Sequence, residues 1–337
     1  MKKYNVAVVG VGAVGEEMLR VLKQRNFPVN ELKVFGRSAR EITVDGEKYS
    51  VEVLNENSFG GIDVALFAGT EGEKGAAVTY ARAAIKAGAV VIDNGADFRM
   101  QKDVPLVVPE ANAKDIRKHK GIIANPNCST IQMVVALAPI HKKAGLKRII
   151  VSTYQAVSGS GRGGIVQAEG EFRAWAANST KKVNLSMEQS VLFNLFPQIG
   201  GLSDEGYTSE EWKLIRETHK ILNDPKIKIT STTVRVPVLN GHSESVYIET
   251  RKPITIESIK KLLQNAAGIV VIDDLANKKY PMPRDCSGRD EVFVGRLRRD
   301  PYVKNSFWLW IVTDNLRKGA ATNAVQIAEE LIKQKII

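Results

Sequence analysis

A cysteine stands where the sequence predicts the start of a helix, in the segment Asn125-Pro126-Asn127-Cys128-Ser129-Thr130. The apolar run from Ile131 to Ile140 is typical of a buried helix, and Asn127 or a neighbour can cap it. The positive end of a helix favours a thiolate over a thiol, and thiolates attack carbonyl carbons. Cys128 is therefore a candidate nucleophile, although a lone cysteine is more often a small buried core residue.

Of the four histidines, three have ordinary structural explanations. His119 lies in a charged run, His141 lies near a helix end where a cation is favourable, and His219 lies in the middle of a helix. His242 differs because it follows a turn at Asn240-Gly241 at the end of an alternating strand. An imidazole exchanges protons near neutral pH, so elimination favours His242 as the general base. A turn histidine with satisfied hydrogen bonds is the alternative.

Two further segments could supply groups that bind a ligand. The segment Ser152-Thr153-Tyr154-Gln155-Ala156-Val157-Ser158-Gly159 ends a strand in a glycine-rich loop. Arg235 lies between two valines of an alternating strand, so its side chain lies on the face opposite to theirs. An arginine in that place could simply be solvated, and the residues alone leave both interpretations open.

The segment Thr208-Ser209-Glu210-Glu211-Trp212-Lys213 predicts a helix start, because Thr208 and Glu211 have the spacing of a capping box. Glu210, Lys213 and Glu217 recur at three and four residues and therefore lie on one face of this helix. From the residues alone, a solvated face of ion pairs is the favoured interpretation.

A glycine pattern near the N-terminus predicts a dinucleotide site. The apolar run Val6-Ala7-Val8-Val9 is followed at once by Gly10-Val11-Gly12-Ala13-Val14-Gly15 and by a helical stretch to Gln24. Strand, glycine turn and helix in this order let the backbone approach a pyrophosphate, whose charge then meets the helix N-terminus. An ordinary tight turn is the alternative.

The next strand predicts which dinucleotide binds. A strand over Leu32–Gly36 would end in an acidic residue if the chain bound NAD, because a carboxylate holds the ribose hydroxyls. It ends instead in Arg37-Ser38-Ala39-Arg40, whose guanidinium groups and hydroxyl suit a 2′-phosphate. NADP is therefore the expected cofactor, with a solvated basic loop as the alternative.

The pattern of strands predicts two domains that differ in how strands and helices alternate. Up to about residue 125, apolar strands alternate with helices, which indicates an α/β domain with a parallel sheet, here of the Rossmann type. From Lys147 the strands become longer and alternating, which indicates an α+β domain with a mostly antiparallel sheet. A helix over Ala320–Lys333 ends the chain. The expected domains are an NADP-binding domain over 1–127 plus 314–337 and a catalytic and dimerisation domain over 128–313.

Composition excludes several classes of function. The chain has 337 residues, a net charge of +11 and only two cysteines, Cys128 and Cys286. Two cysteines cannot form a disulfide framework, and the N-terminus has no signal-peptide pattern, so a cytoplasmic protein is expected. No apolar segment is long enough to span a bilayer. The positive charges are spread along the chain without a recognition motif, so neither a membrane nor a nucleic acid is an expected partner.

These motifs together resemble the aspartate-β-semialdehyde dehydrogenase family, over nearly the whole chain from Val6 to Ala321. The most specific pieces are the cysteine segment, the segment Tyr154-Gln155-Ala156-Val157-Ser158-Gly159, and the spacing of seven residues between Arg235 and His242. The resemblance implies an architecture like that of glyceraldehyde-3-phosphate dehydrogenase. It also implies a homodimer or homotetramer whose dimer forms largely through the second domain.

The reaction that the resemblance implies is a reversible reductive dephosphorylation. L-aspartyl 4-phosphate and NADPH would give L-aspartate 4-semialdehyde, phosphate and NADP, at the branch point toward lysine, diaminopimelate, methionine and threonine. Cys128 would displace phosphate and form a thioester, with His242 as the base. Arg235 would hold the substrate α-carboxylate, Gln155 would orient the substrate near the reacting carbonyl, and Glu210 would bind the ammonium group. The implied phosphate ligands are Arg99, Asn127 and Lys213.

On the cofactor side the resemblance adds three residues of the second domain to the glycine turn. The expected cofactor-binding residues are Gly10, Gly12, Ala13, Val14, Gly15, Arg37, Ser38, Ser158, Gly159 and Asn315. Asn315 could instead cap the last helix. The family commonly has a serine-bearing glycine loop where this chain has Thr70 and Glu71, and the added anion leaves contacts from that loop unpredicted. Cys286 lacks the context of a helix start and is expected to be structural.

Two rival functions deserve a test. N-acetyl-γ-glutamyl-phosphate reductase shares the fold and the mechanism, but its substrate has an acylated amine that would leave a buried Glu210 unpaired. A non-catalytic NADP-binding regulator would keep the glycine turn, yet it would not need Cys128, Arg235 and His242 together.

Overall fold

The computed structural model describes residues 2–69, 72, 75–179, 183–187 and 189–337. The chain divides into two compact units. The first unit comprises Met1–Asn127 and Ala320–Ile337, and the second comprises Cys128–Gly319. The sequence placed the return to the first unit at 314, whereas residues 314–319 belong to the second. They do so because the Asp314 carboxylate accepts hydrogen bonds from the Asn240 side chain and the Gly288 amide, both in the second unit.

The first unit contains a seven-stranded sheet in the order β3-β4-β2-β1-β5-β6-β7. Its strands are β1 Tyr4–Val9, β2 Val29–Gly36, β3 Arg40–Val44, β4 Glu47–Val53, β5 Val64–Phe67, β6 Val90–Asp93 and β7 Ile122–Ala124. Every pair is parallel except the β3–β4 hairpin. The hairpin, which the sequence analysis missed, turns at Asp45 and Gly46, both with positive φ. An Asp-Gly pair is a strong hairpin signal because a type I′ turn needs positive φ at both positions.

Both faces of this sheet are buried, as a parallel sheet requires. Along β1, Val6 and Val8 enter one apolar cluster while Ala7 and Val9 enter another. The helices of this part of the chain are α1 Ala13–Gln24, α2 Ala76–Lys86 and α3 Pro109–Asn112, followed by a 3-10 helix over Ala113–Lys118. The first cluster contains residues of α1, and the second contains residues of α2.

The second unit contains a six-stranded sheet in the order β11-β12-β13-β10-β8-β9. Its strands are β8 Leu146–Gln155, β9 Lys228–Arg235, β10 His242–Thr250, β11 Ile269–Val271, β12 Val292–Arg299 and β13 Ser306–Thr313. The three central pairs are antiparallel, and the two edge pairs, β8–β9 and β11–β12, are parallel. The prediction of a mostly antiparallel sheet is confirmed, although the short edge strand β11 was not predicted.

The second unit also contains helices, most of which contact this sheet. They are α4 Cys128–Ala144, α5 Gly161–Ala176, α6 Ser209–Leu222, α7 Ile256–Gln264 and α8 Pro283–Cys286. Helix α4 contacts the central strands, and α6 contacts β9. The capping box predicted for α6 is present, since Thr208 accepts from the Glu211 amide and the Glu211 carboxylate accepts from the Thr208 amide.

The last helix, α9 Thr322–Lys333, returns to the first unit and packs against α1. Its buried residues Val325, Ile327, Ala328 and Leu331 join the cluster that contains Val6 and Val8. Among the helices of the described residues, none combines the length and hydropathy that crossing a membrane would demand.

Candidate active site

The glycine turn of the first unit has the geometry of a dinucleotide cradle. Gly10 has a φ of +96°, and its amide donates to the Phe35 carbonyl. A Cβ on Gly15 would lie 1.8 Å from the Gly10 carbonyl oxygen, so α1 approaches β1 only because Gly15 has no side chain. A Cβ on Gly12 would meet nothing within 4 Å among the described residues. The open space lies at the N-terminus of α1, where a pyrophosphate would be stabilised.

A cavity of about 710 Å³ adjoins this turn within the first unit. It is lined by Gly10 and Gly12 at one end and by Arg37 and Arg40 further along. Arg40 also donates to the Ser38 hydroxyl at 3.2 Å, which places all three predicted polar groups at the end of β2. The residues present therefore fit a dinucleotide with an additional anionic group. Thr70 and Glu71 lie outside the described residues.

Some residues that line the cavity were not predicted from the sequence. Leu54 follows β4, and Thr79 and Tyr80 lie on α2. No motif indicated them, because they come from separate elements that only the folded sheet brings together. Of the predicted cofactor residues, Ala13 and Val14 form the first turn of α1 and do not line the cavity.

Arg99 and Asn127, the two phosphate candidates of the first unit, are both buried. The Arg99 Nε donates to the Asn125 carbonyl at 2.9 Å and its Nη2 donates to the Asn94 carbonyl at 2.7 Å. Asn94 and Asn125 directly follow β6 and β7, so the guanidinium is held at the carboxyl ends of two parallel strands. Ligands of open parallel sheets bind at this edge.

In the second unit, Cys128 is the first residue of α4, as the sequence predicted. Helix α4 has 17 residues, so its aligned peptide dipoles place partial positive charge at the thiol. Gly319 packs closely against this turn, since a Cβ on Gly319 would lie 3.0 Å from the Cys128 Cβ. Cys128 is partly exposed, whereas Cys286 is buried.

Arg235, the last residue of β9, is only 4% exposed, so the solvated interpretation was wrong. Its Nη1 donates to the Ala156 carbonyl at 2.5 Å. Burial lowers the pKa of the Arg235 guanidinium, and the charges of Glu210 and of Cys128 oppose that shift. A buried guanidinium near a cysteine and a carboxylate stabilises anions there.

His242, the first residue of β10, is fully buried. Its Nδ1 accepts a hydrogen bond from the Ala156 amide at 3.1 Å, so the proton of the neutral ring lies on Nε2. Burial and the nearby charge of Arg235 hold the pKa of His242 well below its ordinary value. A neutral ring of this tautomer offers Nε2–H as a donor, and protonating Nδ1 would break the bond from Ala156; the base role expected from the sequence stays a prediction.

The His242 imidazole and the Arg235 guanidinium both lie next to Gly159, where there is no side chain. A Cβ on Gly159 would lie 2.9 Å from Arg235 Nη1 and 3.0 Å from His242 Cε1. His242 Nε2 has no hydrogen-bond partner within the described part of the chain. The arrangement therefore presents an N–H donor beside a fixed positive charge.

The predicted substrate-binding residues of the second unit also lie together. Gln155 pairs in register with Arg235, and its Nε2 donates to Glu210 Oε1 at 3.3 Å. Lys213 Nζ lies 3.7 Å from Glu210 Oε2. Glu210 and Glu217 are buried, so the interpretation of this face of α6 as solvated was wrong. The face is buried because α6 packs on β9.

Ser158 and Asn315, predicted to bind the cofactor, form a buried network beside the turn that precedes His242. The Ser158 hydroxyl lies 3.0 Å from Asn315 Oδ1 and 3.1 Å from Asn240 Oδ1. Asn315 Oδ1 also accepts from the Gly241 amide at 3.0 Å. Asn315 does not cap the last helix, because a π-helical turn over Arg317–Ala321 precedes α9 and it is the Asp314 carboxylate that accepts from the Leu316 and Arg317 amides there. These bonds fix the turn at Asn240-Gly241, a role that the sequence did not indicate.

A nucleotide-binding α/β unit, joined to an α+β unit that gathers a thiol, an imidazole and a guanidinium, is the arrangement of a dehydrogenase. Comparison with known families agrees. The semialdehyde dehydrogenase NAD binding domain matches residues 5–119, and the semialdehyde dehydrogenase dimerisation domain matches residues 137–318. The chain belongs to the aspartate-semialdehyde dehydrogenase family.

Individual relatives are similar over their full length. Aspartate-semialdehyde dehydrogenase of Aquifex aeolicus is 51% identical over 342 residues, and that of Bacillus subtilis is 46% identical over 346 residues, with 99% of each chain covered. A crystal structure of aspartate semialdehyde dehydrogenase II from Vibrio cholerae, complexed with ASA, has a TM-score of 0.93 at 44% identity, covering 99% of both chains. The predicted family and fold class are confirmed.

Substitutions of Gly12 and Gly15 should have different effects, one on NADP binding and the other on stability. Gly15→Ala forces a methyl group into the Gly10 carbonyl, and overpacking of this kind costs about 1–3 kcal/mol of unfolding free energy in urea titrations. Gly12→Ala should leave the unfolding free energy nearly unchanged and weaken NADP binding about tenfold, measured by fluorescence titration. Unchanged NADP affinity in Gly12→Ala would contradict the cradle.

Gly159→Ala should displace the Arg235 and His242 side chains. A misplacement of about 1 Å reduces kcat/KM about 10²-fold, with little change in the melting temperature. Gly201→Ala is the matched control, because a Cβ there meets nothing within 4 Å among the described residues of the same unit. Equal activity of the two variants would show that Gly159 does not touch the reacting groups.

Proposed function

We propose that this chain catalyses the reversible, NADPH-dependent reductive dephosphorylation of L-aspartyl 4-phosphate to L-aspartate 4-semialdehyde and phosphate. The reaction would serve the biosynthesis of lysine, diaminopimelate, methionine and threonine. The observation that carries the proposal is the buried Arg235, bonded to the Ala156 carbonyl and influenced by the charges of both Cys128 and Glu210. That arrangement suits a reaction that needs a thiolate, an α-carboxylate ligand and an ammonium ligand in one place.

The first step forms a covalent bond to Cys128. The thiolate attacks the acyl carbon, the carbon–oxygen bond to phosphate breaks, and phosphate leaves with the electron pair. The N-terminus of α4 and the Arg235 guanidinium stabilise the thiolate before attack. Lys213 is assigned to the leaving phosphate in the second unit, and Arg99 and Asn127 are assigned to it in the first.

The second step reduces the thioester and releases the Cys128 thiolate, and no side chain has to accept a proton in it. NADPH, when bound, would supply the hydride needed to reduce the thioester carbonyl carbon. The His242 Nε2–H donates to the carbonyl oxygen as negative charge develops on it. The tetrahedral oxyanion then re-forms its carbonyl and expels the Cys128 thiolate, which yields the aldehyde. Since attack and collapse both involve the thiolate, His242 neither gains nor loses a proton, and the proton consumed overall goes to phosphate.

Recognition of the substrate falls to three buried groups. Arg235 is assigned to the α-carboxylate, because its planar guanidinium can bind both carboxylate oxygens. Glu210, buried beside Gln155 and Lys213, is assigned to the ammonium group, and Gln155 orients the substrate. An N-acetylated substrate offers no ammonium, so it would leave Glu210 with one fewer partner at a cost of about 1–3 kcal/mol.

Several features support NADP as the cofactor. Arg37 and Arg40 line the cavity of the first unit beside Ser38, and β2 does not end in the acidic residue that NAD would require. Gly10, Gly12 and Gly15 are assigned to the pyrophosphate turn. Ser158, Gly159 and Asn315 are assigned as the cofactor residues of the second unit.

The assembly is proposed to be a homodimer or a homotetramer, and the match to a dimerisation domain supports this. The face of the second sheet that carries Ser245 also carries Tyr154, which is 38% exposed and whose ring contacts Trp310. Tyr247 and Trp308 form a second aromatic pair on the same face. Aromatic residues are enriched at interfaces, so this face is assigned to the dimer. The two free cysteines support a cytoplasmic location.

An assay with two semialdehydes tests the substrate and the cofactor together. Phosphate-dependent reduction of NADP should be at least about tenfold faster with aspartate semialdehyde than with N-acetylglutamate semialdehyde, in kcat/KM. NAD should be the poorer cofactor. A preference for the acetylated substrate would refute the assignment of Glu210.

Cys128→Ser should lower turnover about 10³-fold or more while NADP affinity stays near that of the wild type. Mass spectrometry of wild-type enzyme mixed with aspartyl phosphate, with NADPH omitted, should show an acyl adduct on Cys128. Cys286→Ser is the matched control and should keep both activity and adduct. Full activity of Cys128→Ser would refute the covalent route.

The tautomer of His242 can be observed directly. In ¹⁵N-histidine spectra, His242 should show a protonated Nε2 and an unprotonated Nδ1 from pH 8 to pH 6, because the pKa of His242 lies well below 6.5. Activity should therefore show no loss from His242 protonation over this range. A proton on Nδ1 of His242 in the free enzyme would contradict the donor role proposed for Nε2–H and favour the base role expected from the sequence.

A further inference from the structure

A second buried polar layer lies below the reacting groups, on the same helix and strand. Glu244 is two residues beyond His242 on β10, so both side chains lie on the same face of the sheet. Gln132 is four residues beyond Cys128 on α4, so both lie on the same face of the helix. Glu244 and Gln132 are both fully buried. The helix and strand that carry Cys128 and His242 thus also carry an amide and a carboxyl.

The Glu244 carboxyl faces groups that carry no charge. Its neighbours in register are Thr153 on β8 and Ile311 on β13, and Gln132 faces it from α4. His242 is the nearest titratable group on its own strand, and it is neutral. Burial raises the pKa of Glu244 well above its ordinary value, and Gln132 opposes this only in part. A carboxylate buried with no cation beside it among the described residues is strongly destabilised, so burial favours the protonated form of Glu244.

Gln132 and Glu244 have side chains that could form one hydrogen bond with each other. Gln132 is near enough to lower the pKa of Glu244, yet no atom of either side chain reaches hydrogen-bond geometry with a described residue. Small rotations of two such groups suffice to pair them, and unpaired polar atoms in a core are costly enough to require it.

We propose that Glu244 is a positioning residue, whose uncharged carboxyl pairs with Gln132 and thereby holds the strand of His242 against the helix of Cys128. The inference rests on the proposed roles of those two residues. An ionised carboxylate in the same place would oppose the Cys128 thiolate, whereas a protonated one ties α4 to β10 without adding negative charge. It would also be free to donate its proton to the Gln132 carbonyl oxygen.

Glu244→Gln tests the charge state, because an amide mimics the protonated acid. We expect kcat within about twofold of wild type and an unchanged pH profile. The folded wild type keeps a proton that the unfolded chain releases above about pH 4.5, so wild-type stability should fall relative to Glu244→Gln as pH rises. The expected difference is about tenfold in the folding equilibrium constant per pH unit between pH 5 and 7, or about 1.4 kcal/mol.

Variants of Gln132 test the positioning role. Gln132→Leu should lower kcat about tenfold or more with KM for the semialdehyde little changed, because the reacting groups lose alignment while the substrate ligands remain. The exchange Gln132→Glu with Glu244→Gln rebuilds one acid–amide pair and should restore kcat. Leu137→Met, a buried substitution on the same helix, is the control for packing alone.

Two results would overturn the proposal. A loss of about 10²-fold or more in kcat for Glu244→Gln would show that an ionised carboxylate takes part in the chemistry. A stability difference between wild type and Glu244→Gln that does not change with pH would show that the folded carboxyl is ionised. The stability measurement needs no substrate, so its outcome is independent of whether the proposed reaction is correct.

Discussion

The backbone of one residue, Ala156, organises the candidate active site. Its amide donates to His242 Nδ1, and its carbonyl accepts from Arg235 Nη1. The first bond sets the tautomer of the imidazole, and the second sets the direction of the guanidinium. Because both bonds come from the main chain at the end of β8, they depend on the strand pairing that places Gln155 beside Arg235 and Tyr154 beside Ser243. The sheet register is therefore part of the catalytic geometry.

Burial then determines which groups carry charge. Arg235 stays positive because a guanidinium keeps its proton even when burial lowers its pKa, whereas burial disfavours the ionised forms of His242 and Glu244. The site thus holds a fixed cation, Arg235, whose pKa is affected by the charge of Cys128. Glu210, the carboxylate that does approach Arg235, is balanced by Lys213. A substrate with an ammonium and a carboxylate suits this distribution.

Local sequence patterns predicted most helices and strands, because hydrophobic periodicity and helix capping depend on residues that are close in the sequence. Cys128 begins α4, Thr208 and Glu211 cap α6, and the glycine turn follows β1. Contacts between distant segments were not readable: Glu210 resembled a solvated helix position until α6 was packed on β9. The hydrogen bond from Ala156 to His242 could not be predicted, because its donor is a backbone amide, which almost every residue type has. The hairpin at Asp45-Gly46 did leave a local signal, and it was overlooked.

The two cysteines show that position rather than residue type decides reactivity. Cys286 ends α8, a helix of four residues with little dipole, and burial raises the pKa of its thiol to about 12. Cys128 begins a helix of 17 residues and is partly exposed, and its charge acts to raise the pKa of Arg235. A thiol that must be a nucleophile needs favourable electrostatics on one side and access on the other. Only the end of a long helix, beside a guanidinium held by the backbone, provides both in the second unit as the structure describes it.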